Sequence, residues 1–245
     1  MIVGFVGSGS MAAAIARGWA GELEGMLFSD SGSGRAAELA AELGGEALSN
    51  REIAERADFV VVAVKPAALD LVAPELGAAR KVVSILAAVP VTRLEAAFPE
   101  AEVLRVMPNV GVEVRKGVLC VAGEASGEVR EKLAILGRVV EIADEDFDAA
   151  TAVMGCAPAY LALAVEAIAD AGAADGLDPE LARELVVETT AGTAELLRNW
   201  APADLRRAVA SPGGSTEAGL EALDREGARE AFEAAVRASL ERMRR

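Results

Sequence analysis

Two stretches of this chain are built from small residues at places where backbone N–H groups can meet an anion. The first, "FVGSGSMAAAI" from Phe5 to Ile15, holds Gly7-x-Gly9-x-x-Ala12 directly after an apolar run and at the start of a helical pattern. In that context each position has a physical task. Gly7 permits a tight turn, Gly9 lets a pyrophosphate approach the backbone, and Ala12 lets the helix pack closely on the strand. Ser8, Ser10 and Met11 complete the loop, and N–H groups at the helix start face the phosphates. The expected chemistry is dinucleotide binding. The second stretch, "SPGGST" from Ser211 to Thr216, interrupts helical patterns on both sides with proline and two glycines, all poor helix formers. From its residues alone it reads equally well as an anion cradle or as a plain helix–helix connection.

Asp30 follows the second apolar run at the position where an acidic residue bonds a ribose 2′-hydroxyl and favours NAD. Ser31, Ser33 and Arg35 come next and suit a 2′-phosphate, which favours NADP. The cluster tilts the expectation towards NADP (as NADPH), with NAD possible.

Composition removes many other chemistries. The 245 residues include no histidine and two cysteines, Cys120 and Cys156. Histidine-based triads, Cys–His pairs and histidine-ligated metals are therefore impossible, and the cysteines make neither a disulfide framework nor a zinc spacing. No metal is expected. The net charge of −15 argues against nucleic acid and anionic membranes. Apolar sequence begins at Ile2 without a basic leader, and Glu166 and Asp170 interrupt the longest apolar stretch, Pro158–Ala174. A cytoplasmic protein with a buried helix, rather than a membrane span, is expected.

The elements that must position these residues alternate through the first half. Apolar runs at Ile2–Val6, Met26–Ser29, Phe59–Val64, Lys81–Leu86, Glu102–Met107, Gly117–Ala122 and Val139–Ala143 read as strands. Helical patterns occupy Met11–Trp19, Arg35–Leu43 and Arg51–Ala57. Uniformly apolar strands between helices imply a mostly parallel sheet covered on both faces. From about Thr151 the strands stop and helices follow, one of them opening with Asp178 as N-cap and Pro179 in its first turn. The fold class expected is α/β: a Rossmann-type doubly wound sheet in residues 1–152, then an all-α dimerisation and substrate domain in 153–245. The helix Ala159–Ala174 is apolar on most sides, so a second subunit is expected to cover it.

The chain resembles the pyrroline-5-carboxylate reductase family. The resemblance rests on "FVGSGSMAAAI", "AVKP" (Ala63–Pro66), "RVMPN" (Arg105–Asn109), "PAY" (Pro158–Tyr160), "DAGAADGL" (Asp170–Leu177) and "SPGGST" followed by Gly219, in that order along nearly the whole chain. It implies reduction of the cyclic imine 1-pyrroline-5-carboxylate to L-proline with NAD(P)H, in a homodimer that can assemble further. It implies that Asn50, Val64, Lys65 and Pro66 lie along the cofactor and that Ala87 and Ala88 lie near the nicotinamide. Met107, Pro108 and Asn109 would line the cleft. Ser211, Gly213, Gly214, Ser215 and Thr216 would form the substrate loop, with N–H groups from Gly213 to Thr216 on the carboxylate and the Thr216 hydroxyl, the catalytic group, on the ring nitrogen. Tyr160 and Lys65 are the other available proton donors and are not favoured.

The chain departs from the family pattern in several places. Met154-Gly155-Cys156-Ala157 replaces the usual Ser-Gly-Ser-Gly, and Val110-Gly111 follows "MPN" instead of Thr-Pro. Asp144 stands for a frequent Glu, Ala208 for a polar residue and Ser10 for Asn. These changes leave open a diverged member, either an imine reductase with another substrate or a non-catalytic dinucleotide-binding regulator. A β-hydroxyacid reductase would need a lysine in the helical region, and Thr151–Arg245 contains none.

Overall fold

The computed structural model describes residues 1–244. The chain divides into two compact units: Met1–Gly155 together with residues 243–244, and Cys156–Arg242.

The first unit is a sheet of eight strands: β1 Ile2–Val6, β2 Gly25–Ser29, β3 Glu46–Ala47, β4 Phe59–Val62, β5 Lys81–Ser84, β6 Glu102–Pro108, β7 Gly117–Gly123 and β8 Gly137–Glu141. Their order is β3-β2-β1-β4-β5-β6-β7-β8, so the winding reverses between β1 and β4. That reversal makes the doubly wound sheet expected from the alternating pattern. All pairings are parallel except β6–β7. The link between those two is the short helical turn Val110–Val114 with Arg115 in the left-handed region, φ 58°. A parallel return would need a longer crossover.

The strands are mostly apolar because both faces are covered. Val3, Phe5, Phe28, Val61 and Leu104 pack on one side with α1 (Ser10–Gly18), α2 (Arg35–Leu43) and α6 (Gly127–Ile135). Val6, Leu27, Val60, Val62 and Val82 pack on the other with α3 (Asn50–Arg56), α4 (Leu69–Val72) and α5 (Val91–Ala97). Trp19, the C-cap of α1, is fully buried, meets Phe59 edge-on at 5.8 Å, and donates its indole N–H to the Lys132 carbonyl at 2.7 Å. After β8 the turn α7 (Phe147–Ala150) runs into a π-helical segment, Thr151–Gly155.

The second unit consists of α8 (Ala157–Ala174), α9 (Pro179–Leu196), α10 (Pro202–Val209), α11 (Ser215–Arg225) and α12 (Ala228–Met243). Asp178 caps α9, accepting from Glu180 N–H at 3.1 Å and Leu181 N–H at 3.0 Å, with Pro179 in the first turn. Helix α8 packs on α9, and the Tyr160 hydroxyl ties it to Ser239 of α12.

The helix expected at Pro158–Ala174, for which a second subunit was expected as cover, stands largely open within a single chain. Within α8 only Ala169 is buried, while Leu161, Leu163 and Ile168 are 57%, 64% and 60% exposed. The helical run Asp144–Ala174, with mean hydropathy 1.7 over its most apolar stretch, is long and apolar enough to cross a bilayer. Its first part, however, is anchored on the sheet by Phe147, which is 1% exposed.

Candidate active site

One row of the sheet sets the geometry. Ser29, Val6, Val62 and Ser84 are in lateral register, and each is the last residue of its strand. The loops that leave this row carry most of the sequence-predicted cofactor residues of the first unit.

At the end of β1, Gly7 has φ +98°, and a Cβ there would stand 2.7 Å from the Ala63 backbone. Only glycine fits without displacing main chain. Its N–H donates to the Ser29 carbonyl at 3.1 Å, and the Ser8 hydroxyl donates to the same oxygen at 3.0 Å. Ser8 is 5% exposed, and its side chain braces one loop against the other. Gly9 is the N-cap of α1 and uses no side chain; a Cβ there would meet nothing within 4 Å. The first accepting carbonyl of α1 is that of Gly9, bonded by Ala13 N–H, so the N–H groups of Ser10, Met11 and Ala12 point out of the helix start. No acid lies in that first turn. Bare donors, open space beside Gly9 and no internal counter-charge fit a pyrophosphate.

A cleft of about 400 Å³ borders this loop, lined by Ser8, Gly9, Ser10, Arg17, Arg35 and Val110 among others. Arg17 is committed there to Glu42, at 2.7 and 3.1 Å. Arg35 is exposed and makes no ion pair among the described residues.

Asp30 behaves differently from the ribose ligand its position suggests. One carboxylate oxygen accepts the N–H groups of Gly32 at 2.7 Å and Ser33 at 3.1 Å. The other accepts the Ala36 N–H at 2.8 Å and the Ser33 hydroxyl at 2.9 Å. Asp30 therefore ties down the loop that presents Ser31 and Arg35. The Ala36 bond first, then those from Gly32 and Ser33, hold its carboxyl below the usual carboxylate range. Ser33 spends its hydroxyl proton on Asp30; Ser31 is exposed.

Asn50, the first residue of α3, accepts the Ser29 hydroxyl at 2.5 Å and donates to Glu75 at 2.6 Å. Val64 is half-buried beside Gly7, Lys65 is exposed, and Pro66 starts the turn Pro66–Ala68. Ala87 and Ala88 are exposed beyond β5, and Ala88 has φ +58°.

The β6 residues expected to line the cleft are largely packed or hydrogen-bonded within the first unit. Met107 is 9% exposed and packs with Cys120 and Phe147, and Pro108 is also buried. Asn109 accepts the Val118 N–H at 3.1 Å and donates to the Met154 carbonyl at 3.2 Å. Its amide holds the chain rather than standing free. Burial pushes the Cys120 thiol up, which makes it a packing residue.

In the second unit Ser211–Thr216 turns into the start of α11, with Gly213 at φ +72° and Gly214 as N-cap. Two of the expected free donors are taken. Gly214 N–H bonds the Ser211 carbonyl at 2.9 Å, and Gly213 N–H bonds the Glu217 carboxylate at 2.7 Å. The N–H groups of Ser215 and Thr216 start the helix without an acceptor among the described residues, and Thr216 is exposed. Sequence reasoning missed Glu217, although an acid at the third helical position is a recognisable capping signal. It also gave no role to Arg105, a charge inside an apolar strand. Tyr160 donates to the Ala235 carbonyl at 3.4 Å besides its bond to Ser239, so it serves helix packing.

The chain has relatives of known kind. Residues 144–245 match a family described as pyrroline-5-carboxylate reductase dimerisation, and residues 2–88 one described as NADP oxidoreductase, coenzyme F420-dependent. A pyrroline-5-carboxylate reductase from Synechocystis is 39% identical over 79% of this chain and 76% of its own. The solved 1-pyrroline-5-carboxylate reductase of Streptococcus pyogenes superposes with a TM-score of 0.89 at 30% identity, covering 99% of this chain and 98% of that one. The Plasmodium falciparum pyrroline carboxylate reductase, solved with NADP bound, gives 0.86 at 28% identity over 99% and 97%. The Gly7–Ala12 loop on a doubly wound sheet, the helical dimerisation region and this identity along most of the chain agree: it belongs to the pyrroline-5-carboxylate reductase family.

Proposed function

We propose that this chain reduces 1-pyrroline-5-carboxylate to L-proline with NADPH, and accepts NADH less well. The observation that carries the reading is a pair of helix N-termini, α1 and α11, one in each unit, that begin on glycine with no side-chain cap. Both suit anions: a pyrophosphate at the first and a small carboxylate at the second. The identity to the Synechocystis reductase supplies the substrate class.

When bound, the reduced nicotinamide supplies the hydride. The protein's part is placement and charge control. Ser10, Met11 and Ala12 N–H groups hold the pyrophosphate, and Gly9 keeps the approach clear. Asp30 shapes the Ser31–Arg35 loop, and Arg35 meets the 2′-phosphate. Ser215 and Thr216 N–H groups hold the substrate carboxylate. The Thr216 hydroxyl orients the ring nitrogen, which takes its proton from solvent while the imine carbon takes the hydride. A basic cyclic imine needs no histidine for this, and the chain has none. A second copy covers apolar surface of α8, where Leu161 and Ile168 on one side and Leu163 on another stand open. The dimerisation match over 144–245 supports that reading.

The test is an assay of the purified chain with 1-pyrroline-5-carboxylate and each nucleotide. Substrate-dependent oxidation with proline as product supports the proposal. Nucleotide binding without turnover on any cyclic imine points instead to a non-catalytic member.

A further inference from the structure

Among the described residues the buried polar side chains are Ser8, Ser29, Ser84 and Arg105. Three of them lie in the same lateral row, because Arg105 is in register with Ser84 and through Val62 and Val6 with Ser29. Arg105 is therefore a buried charge in the row where β1, β2, β4 and β5 end. In a doubly wound sheet a dinucleotide lies across the crevice beyond this row, its second half over the strands after the switch point.

A charge in such a place must be paired, and its pairing is specific. The Arg105 Nη1 donates to Asp144 Oδ1 at 2.8 Å, and its guanidinium lies 4.0 Å over the Phe147 ring. Its Nε is buried without a partner. The second oxygen of Asp144 accepts the N–H of Val91 at 3.2 Å. Val91 opens α5 and ends the Ile85–Pro90 turn. The other end of that turn is held by Ile85 N–H on the Val62 carbonyl at 3.1 Å and by Leu86 N–H on the Ser84 hydroxyl at 3.3 Å. Between these anchors sits Ala88 at φ +58°, a region a residue with a Cβ keeps only where its surroundings over-determine it.

We propose that Arg105 and Asp144 are positioning residues for hydride transfer: their buried pair holds the Val91 end of the Ile85–Pro90 turn and so fixes the surface on which the nicotinamide half rests. The inference rests on the reduction reading above. It assigns a role to the charge in "RVMPN" and to Asp144, neither of which touches the reacting atoms.

Val91→Pro tests it without disturbing the ion pair. Proline at a first helical position is tolerated, and the change removes the N–H that Asp144 holds while exchanging one half-buried apolar side chain for another. Asp144→Ala removes the acceptor, and Asp144→Glu is the conservative variant. The first readout needs no turnover: hydrogen–deuterium exchange of the nucleotide-free protein. Asp144→Ala is expected to speed exchange of the 85–90 turn about tenfold or more, the loss of one charge-assisted hydrogen bond, with β1 and α1 unchanged. The second readout is kinetic. Val91→Pro is expected to lower kcat on the order of 10- to 100-fold, the scale of a misplaced reacting group. NADP⁺ affinity by calorimetry should stay within about twofold, since one hydrogen bond remote from the phosphates is lost. Asp144→Glu should restore most of kcat. Unchanged exchange in Asp144→Ala, or a kcat loss matched by an equal loss of NADP⁺ binding and of Tm, overturns the positioning role. A wild-type chain that binds NADP⁺ but reduces no imine sinks the reduction reading instead, while exchange still decides whether the turn is held.

Discussion

Asp30 accepts the backbone N–H of Ala36 at 2.8 Å, across six residues of chain. This bond turns a residue in the position of a ribose ligand into the clamp of the loop that carries Arg35. With both Asp30 oxygens occupied, Arg35 is left as a cation without an ion pair among the described residues, in a cleft that Glu38 also lines.

Arg35 should therefore set nucleotide preference. Arg35→Ala is expected to raise KM for NADPH by about tenfold or more, the effect of one charge-assisted contact to phosphate. KM for NADH should move by less than about twofold, because surface substitutions away from a contact cost little. Equal changes for both nucleotides would remove Arg35 from the 2′-phosphate site.

The same clamp predicts a pH effect on stability. The Asp30 carboxyl titrates below its ordinary value when folded, chiefly through the Ala36 N–H. The unfolded chain therefore binds the proton more tightly. The clamp's stabilisation is full above the unfolded value and is lost as pH falls below about 4 through the folded one. Asp30→Asn should lower Tm at neutral pH, and its gap from wild type should narrow at acid pH. A gap independent of pH contradicts the assignment.

Gly7 and Gly9 separate folding from binding. Gly7→Ala forces a Cβ against the Ala63 backbone at positive φ and should cost about 1–3 kcal/mol, read as a fall in Tm. Gly9 has ordinary extended backbone, φ −78°, and open space around it. Gly9→Val should keep Tm within a few degrees yet abolish measurable nucleotide binding by calorimetry. Retained binding would show that the phosphates lie elsewhere.

Glu217 holds the Gly213 N–H at 2.7 Å and places a negative charge on the loop proposed for the substrate carboxylate. Glu217→Gln should lower KM for the imino acid several-fold while costing about 0.3–1 kcal/mol of stability, as a negative charge leaves a helix N-terminus. A raised KM would mean that Glu217 helps bind substrate.

The strands were readable because burial on both faces leaves few polar positions, and β1, β2, β5 and β6 start on the residues the apolar runs mark or one residue before. Five elements escaped: β3, α4, α5, α6 and α7. β3 is two exposed residues on an edge, and α6 shows only Val129 and Leu133 to the core, four residues apart in a polar segment. The glycine loop was legible because its spacing reflects backbone approach. The roles of Asp30, Ser8, Asn109 and Glu217 were not, because a short polar side chain bonds ligand or its own backbone with equal ease. That choice is made by local turns, such as those at Gly32 and Gly34 with φ +94° and +84°, which composition does not show.

The central claim is tested most directly by following nicotinamide absorbance with the purified chain, 1-pyrroline-5-carboxylate and either nucleotide. The account predicts substrate-dependent oxidation, more efficient with NADPH, with proline formed in equal amount and the signal lost in Gly9→Val. No oxidation above the blank with either NADPH or NADH, from a folded dimer that binds NADP⁺, contradicts it.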